Sequence, residues 1–138
     1  MGVRRDAREA AVQYLYQREI QGGESDSHMD DFYKMRGLSP SARRFCDSLL
    51  EGWMKHRVEI DEVIAAQARN FELDRLCAVD RNVLRIACHE ILNCPDVPPA
   101  VAINEAIEVA KKFSTEESGR FVNGILDNIR KSRIAKGA

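Results

Sequence analysis

Apolar residues in this chain recur at three- and four-residue spacing along most of its length, and no stretch alternates cleanly between turn residues as a strand would. Near the N-terminus Ala7, Ala11 and Leu15 fall every four positions, with Ala10 and Tyr14 widening the stripe. This predicts a helix from about Arg4 to Ile20, stopped by Gly22-Gly23. Most of its inward positions are alanine, so a neighbouring helix is expected to approach closely. A short polar segment follows, with a brief helix around Met29 to Met35 that ends at Gly37. Ser39 and Pro40 are suited to the cap and first position of the next helix. Phe45, Leu49, Trp53, Ile60 and Ile64 share its stripe to about Arg69, a length that calls for a break between His56 and Glu59.

The second half repeats the pattern. Asp80 is expected to open a helix with Val83, Leu84, Ala87, Cys88 and Ile91 inward, ending near Asn93 because Pro95 disfavours a helical Cys94. Pro98 and Pro99 introduce a helix with Ile103, Ala106, Ile107 and Ala110 inside. The last helix is expected to start at Ser114, with Ser114 and Glu117 as a capping box and Phe121, Val122, Ile125, Leu126 and Ile129 as its stripe. Gly119 and Gly124 inside it lower helix stability by roughly 1 kcal/mol each relative to alanine, which suggests close approach of a neighbouring helix or a ligand. The expectation is an all-α fold of six or seven helices with short loops. No internal repeat argues for a solenoid.

Composition narrows the class. The chain has 138 residues, 44% hydrophobic and 31% charged, which fits one soluble globular domain. No apolar run approaches a membrane span, and Met-Gly-Val-Arg-Arg-Asp lacks the apolar stretch of a secretory signal, so a cytoplasmic protein is expected. Cys46, Cys77, Cys88 and Cys94 include no CxxC pair and read as reduced thiols. A metal site at Cys88, His89 and Cys94 is set aside, because adjacent helical residues point about 100° apart. Neither bound metal nor a disulfide is expected.

Net charge is −1, yet the charge is segregated. Arg4, Arg5 and Arg8 crowd one end, and Arg130, Lys131, Arg133 and Lys136 the other. Glu24, Asp26, Asp30 and Asp31 form an acidic stretch between helices. Such patches are docking places for a polyanion or simply solvated helix ends. His28, His56 and His89 sit in unrelated contexts, and no HExxH, GxSxG or phosphate-loop pattern occurs. The remaining carboxylates read as solvated helix faces. No enzyme is expected.

Two segments resemble one family. Residues 4–17 read RRDAREAAVQYLYQ, and residues 79–127 contain VDRNVLRIACHEI followed by DVPPAVAINEAIEVAKKFSTEESGRFVNGILD. Both are similar to the NusB family of transcription antitermination factors; residues 22–75 match it only in helical pattern. The resemblance implies two packed three-helix sub-bundles, about 1–70 and 76–134, within a single domain. It implies binding of the boxA sequence of nascent ribosomal or phage RNA as a heterodimer with NusE, a small-subunit ribosomal protein. That complex would join RNA polymerase and suppress termination without a cofactor. It leaves the free protein a monomer or homodimer.

Carried over position by position, the family's basic motif falls on Arg4, Arg5 and Arg8, and its RNA-facing tyrosine on Tyr16. Glu117, Arg120 and Phe121 match the rest of the RNA face, and Asp80 the side toward NusE. Asp6 departs from the pattern, since a basic residue there would suit RNA better. Cations on phosphates and aromatic rings on bases are what single-stranded RNA requires. Periodicity alone fits Tyr16 and Phe121 equally well to the core, and Asp80 to a plain N-cap. The alternative function is a helical protein–protein adaptor without RNA binding of its own. A methyltransferase fusion, which also carries this fold, is not expected, because no glycine-rich cofactor loop is present.

Overall fold

The computed structural model describes residues 2–22, 29–68 and 73–137. They form six α-helices and no strand: α1 Val3–Ile20, α2 Met29–Arg36, α3 Pro40–Ala68, α4 Ala78–Asn93, α5 Pro99–Phe113 and α6 Glu116–Gly137, with a 3-10 turn at Leu73–Arg75. Helix α3 packs against α1 and α4, and α5 against α4 and α6. One continuous buried core draws on α1, α2, α3, α4, α5 and α6.

The helix ends follow their local chemistry. Gly22 and Gly37 take left-handed backbone angles (φ 88° and 69°) just past α1 and α2, a conformation that glycine adopts without Cβ strain. The Ala42 N–H donates to Ser39 Oγ at 3.2 Å, so Ser39 caps α3 as expected. The break expected between His56 and Glu59 is present at its first residue: His56 leaves the helical region (φ −115°, ψ 15°) and α3 continues beyond it. Two starts differ from expectation. Helix α4 begins two residues before Asp80, with Cys77 at its N-cap. Helix α6 is capped by Thr115, whose Oγ1 accepts the Ser118 N–H at 3.1 Å, so Ser114 and Glu117 form no capping box. Ser114 Oγ instead accepts the Ser118 hydroxyl at 2.9 Å. The two hydroxyls differ by one position, and a sequence pattern cannot tell which is in register with the first free N–H.

Small residues set the helix spacings. Ala7, Ala10 and Ala11 of α1 have no exposed surface, as an alanine face requires. A Cβ at Gly119 would lie 2.8 Å from Lys111 Cγ of α5, so this glycine does mark a close helix approach. Gly124 faces open space and marks none. At Gly52 of α3 the His89 ring of α4 occupies the place of a side chain; an added Cβ would overlap two ring atoms. The same ring stacks on His56 at 6.3 Å between centroids, and Asn93 Nδ2 and Cys94 Sγ lie 3.2 and 3.6 Å from its two nitrogens. Beyond the kink, Arg85 binds Asp61 and Glu19, and Arg81 binds Glu19 and the carbonyls of Leu73 and Leu76. These bonds tie the 3-10 turn, whose Leu73 carbonyl also accepts the Leu76 N–H at 3.3 Å, to α4.

Two outcomes are expected from this packing. Gly52→Ala should destabilise by about 1–3 kcal/mol through overpacking against His89. Gly124→Ala should stabilise by about 1 kcal/mol, since it adds helix propensity in open space. Denaturant melts check both, and equal effects would contradict the assigned geometry. The second outcome concerns acid. Burial, with help from the neighbouring His56, pushes the His89 imidazole down to about 4. A base with a depressed folded pKa stabilises the fold fully above its unfolded value, about 6.5, and loses that contribution as pH falls toward 4. Stability should drop by about 1.4 kcal/mol per pH unit across that window. Melts between pH 7.5 and 4.5 measure this slope, and a flat profile would contradict a buried neutral His89.

Candidate nucleic-acid interface

At about 100° per residue the three arginines in the first two turns of α1 span an arc of about 100°, with Arg8 between Arg4 and Arg5 and one turn further in. The structure separates them by depth. Arg4 is exposed, with its guanidinium 4.8 Å from the centroid of the Phe45 ring on α3. Arg5 is part-exposed; its Nε donates to Glu105 Oε1 of α5 at 3.0 Å, and a second N–H reaches Glu105 Oε2. These bonds raise the Arg5 pKa and hold the Glu105 carboxyl below its usual range.

Arg8 does not lie on the surface. It is 4% exposed, and its Nε and Nη2 each donate at 2.8 Å to one oxygen of Glu90 on α4, itself 1% exposed. Its remaining Nη1 reaches Glu105 Oε1 at 3.4 Å. Burial alone would lower the Arg8 pKa, but the Glu90 bonds and charge more than offset it. The expectation that Arg8 presents its charge to RNA is therefore corrected: its place one turn inside α1 directs it between α4 and α5. The expectation that the carboxylates are solvated is corrected with it, because Glu90 and Glu9 are both buried. Periodicity held the clue: Glu90 follows Val83 and Ala87 on the inward stripe, where an acid calls for a buried cation.

From α1 the surface runs across α5 to α6. Lys112 Nζ of α5 donates to Glu9 at 2.8 Å, and Arg36 of α2 approaches the same carboxylate at 3.7 Å. The neighbouring Lys111 packs on Gly119 of α6. Arg120 and Glu117 are exposed, and Phe121 is half-buried, packed at the edge of the core one turn after Glu117. Phe121 is thus neither fully core nor fully outward. Among the described residues no carboxylate pairs with Arg4 or Arg120. Tyr16 is 37% exposed. It lies 11 residues beyond Arg5, about 16 Å along the same face of α1. Sequence reasoning did not single out Glu9, Glu90, Glu105 or Lys112.

Asp80 is the third residue of α4 and only 8% exposed, so it is not an N-cap and offers little surface to a partner. Burial raises its carboxyl pKa, opposed by Ser118 of α6, and Oδ1 has no hydrogen-bond partner among the described residues. At the far end of α6, Arg130 and Lys131 pair with Asp127, and Arg133 donates to the Leu92 carbonyl. The Lys136 and Asp30 side chains, and all of Glu24, Asp26 and His28, lie outside the described residues. Asp31 is exposed. Among the described residues no cluster of His, Cys, Asp and Glu is arranged to hold a metal ion, and no helix is long and apolar enough to cross a membrane.

Comparison with known proteins gives a consistent result. The NusB family model matches residues 5–131. The transcription antitermination protein NusB of Elusimicrobium minutum is 44% identical over 137 residues, 96% of each chain. That of Geobacter sulfurreducens is 44% identical over 138 residues, 99% of this chain and all of the other. Among solved structures, T. maritima NusB superposes with a TM-score of 0.82 at 37% identity, over 93% of this chain and 90% of that one. A chain from the crystal structure of antitermination factors NusB and NusE in complex with dsRNA superposes with a TM-score of 0.86 at 28% identity, over 96% and 98%. The chain belongs to the NusB family of transcription antitermination proteins.

Proposed function

We propose that this protein binds a boxA-type single-stranded RNA together with NusE, joins the RNA polymerase antitermination complex, and supports processive transcription of ribosomal RNA operons. It does so in the cytoplasm, as a monomer or homodimer when free, without a cofactor and without catalysing a reaction. The observation that carries this reading is the pair of exposed arginines that no carboxylate holds among the described residues, Arg4 of α1 and Arg120 of α6, with the part-exposed Arg5 next to the first in sequence and the half-buried Phe121 next to the second. Cations there hold phosphates, and the edge of Phe121, with Tyr16 further along α1, supplies rings for bases. The solved relative found with NusE and dsRNA supports the choice of partners. NusE docks on the side where α4 begins. Asp80 acts there by fixing the first turn of α4 against α6, since it is itself buried.

One observation favours the adaptor reading. Arg5, Arg8 and Lys112 each already hold a carboxylate, which leaves less positive charge for phosphates than the sequence suggests.

Three substitutions separate the readings. Arg4→Ala should weaken binding of a boxA RNA and flatten its salt dependence by about 0.7 in the log–log slope, the loss of one phosphate contact. Phe121→Ala should weaken binding by about 1–3 kcal/mol if a base stacks on the ring. Glu117→Gln should tighten binding at unchanged stability, because Glu117 takes no part in the α6 cap. RNA titrations with thermal melts provide the test. Wild-type affinity in all three would eliminate this face as the RNA site and leave the adaptor.

A further inference from the structure

The carboxylate of Glu105 is shared by two arginines of different standing. Arg8 is buried and holds Glu90 through both ends of its fork, so it needs Glu105 only as a third contact at 3.4 Å. Arg5 is one-third exposed and spends its own fork on Glu105. A phosphate presents a guanidinium with the same two-oxygen geometry as a carboxylate. An ion pair whose arginine is one-third exposed keeps water at hand to replace its bonds, so its partner can be exchanged for one of the same geometry. When Arg5 leaves, Glu105 keeps a contact with Arg8, which it then shares with Glu90, so the group is left with one net negative charge at its exposed edge.

We propose that Glu105 is a latch on the RNA face: it holds and masks Arg5 in the free protein and hands it to an RNA phosphate on binding. The proposal rests on the RNA-binding reading above and makes Glu105 a positioning residue for it. It accounts for a chain of net charge −1 that offers a phosphate-binding arginine only on demand. The latch has a signature that a purely structural carboxylate lacks. When a phosphate takes up a bare cation, the RNA releases a counterion and affinity falls with salt. When Arg5 is exchanged from Glu105, salt also weakens the pair that has to be broken, which offsets part of the loss. The Arg5 contact should then depend on salt less than that of a bare cation.

The test is titration of a single-stranded boxA RNA oligonucleotide across a salt series with wild type, Glu105→Gln, Arg5→Ala and the double variant, each checked for folding by thermal melt. Glu105→Gln should tighten binding about two- to fivefold and steepen the log–log slope by up to about 0.7. Arg5→Ala in the wild-type background should weaken binding with a smaller change in slope than Arg4→Ala gives. Added to Glu105→Gln, it should remove the extra slope. The latch is overturned if Glu105→Gln leaves affinity and slope unchanged or weakens binding. It is equally overturned if Arg5→Ala flattens the wild-type slope by the full amount, a result that decides even should Glu105→Gln fail to fold. Arg4→Ala distinguishes the two levels. Weakened binding there with any of these negative results refutes the latch alone, whereas wild-type affinity in both Arg4→Ala and Arg5→Ala refutes the RNA face and the latch together.

Discussion

Between α1 and α4 a guanidinium and a carboxylate, Arg8 and Glu90, face each other almost without water, joined by two parallel N–H···O bonds of 2.8 Å. Neither charge can lose the other cheaply, because an unpaired buried ion destabilises by about 3–5 kcal/mol. The pair therefore fixes α1 against α4. Its third bond, to Glu105, adds α5, and the Phe45 ring 5.3 Å from the Arg8 guanidinium adds α3. Four helices are referenced to one side chain. Arg4 and Arg5, on the turn before, take their positions on the surface from it.

The same arrangement explains how a mildly acidic chain can present a cationic face. Acids and bases are paired by depth. Glu90 is spent entirely on the interior, Glu105 spans interior and surface, and Glu9 ties α1 to Lys112 and Arg36 at the rim. What is left outward without a carboxylate among the described residues is Arg4 and Arg120, and under the proposed function these would position a strand of RNA without the broad field of a uniformly basic protein. Selectivity would then come from the partner protein and the bases rather than from charge alone.

Much of the fold was legible because helix chemistry is local. The glycines after α1 and α2, the Ser39 cap, the prolines before α5 and the break at His56 each act within a few residues, and the structure bears them out. The family resemblance only suggested which face would meet RNA. What was not legible depends on neighbours from other helices. Arg8 looked like Arg4 because one-dimensional spacing does not reveal that α4 brings Glu90 to meet it. Gly119 and Gly124 looked alike, yet only the first has α5 against it. Thr115 displaced Ser114 as a cap by a single residue of register, and Asp80 moved inside its helix for the same reason.

Arg8 is a strut of the fold, and under the proposed function RNA is met by the arginines around it. The most direct measurement is the boxA RNA affinity of Arg8→Met/Glu90→Leu made in the Glu105→Gln background, which replaces the buried pair by apolar side chains of similar size and leaves no carboxylate without its cation, alongside its melting temperature. Such replacements are often neutral or stabilising, so a folded protein that binds RNA like Glu105→Gln alone is expected. A variant that folds normally but has lost RNA affinity would show that Arg8 itself reaches the phosphate, and would contradict the account.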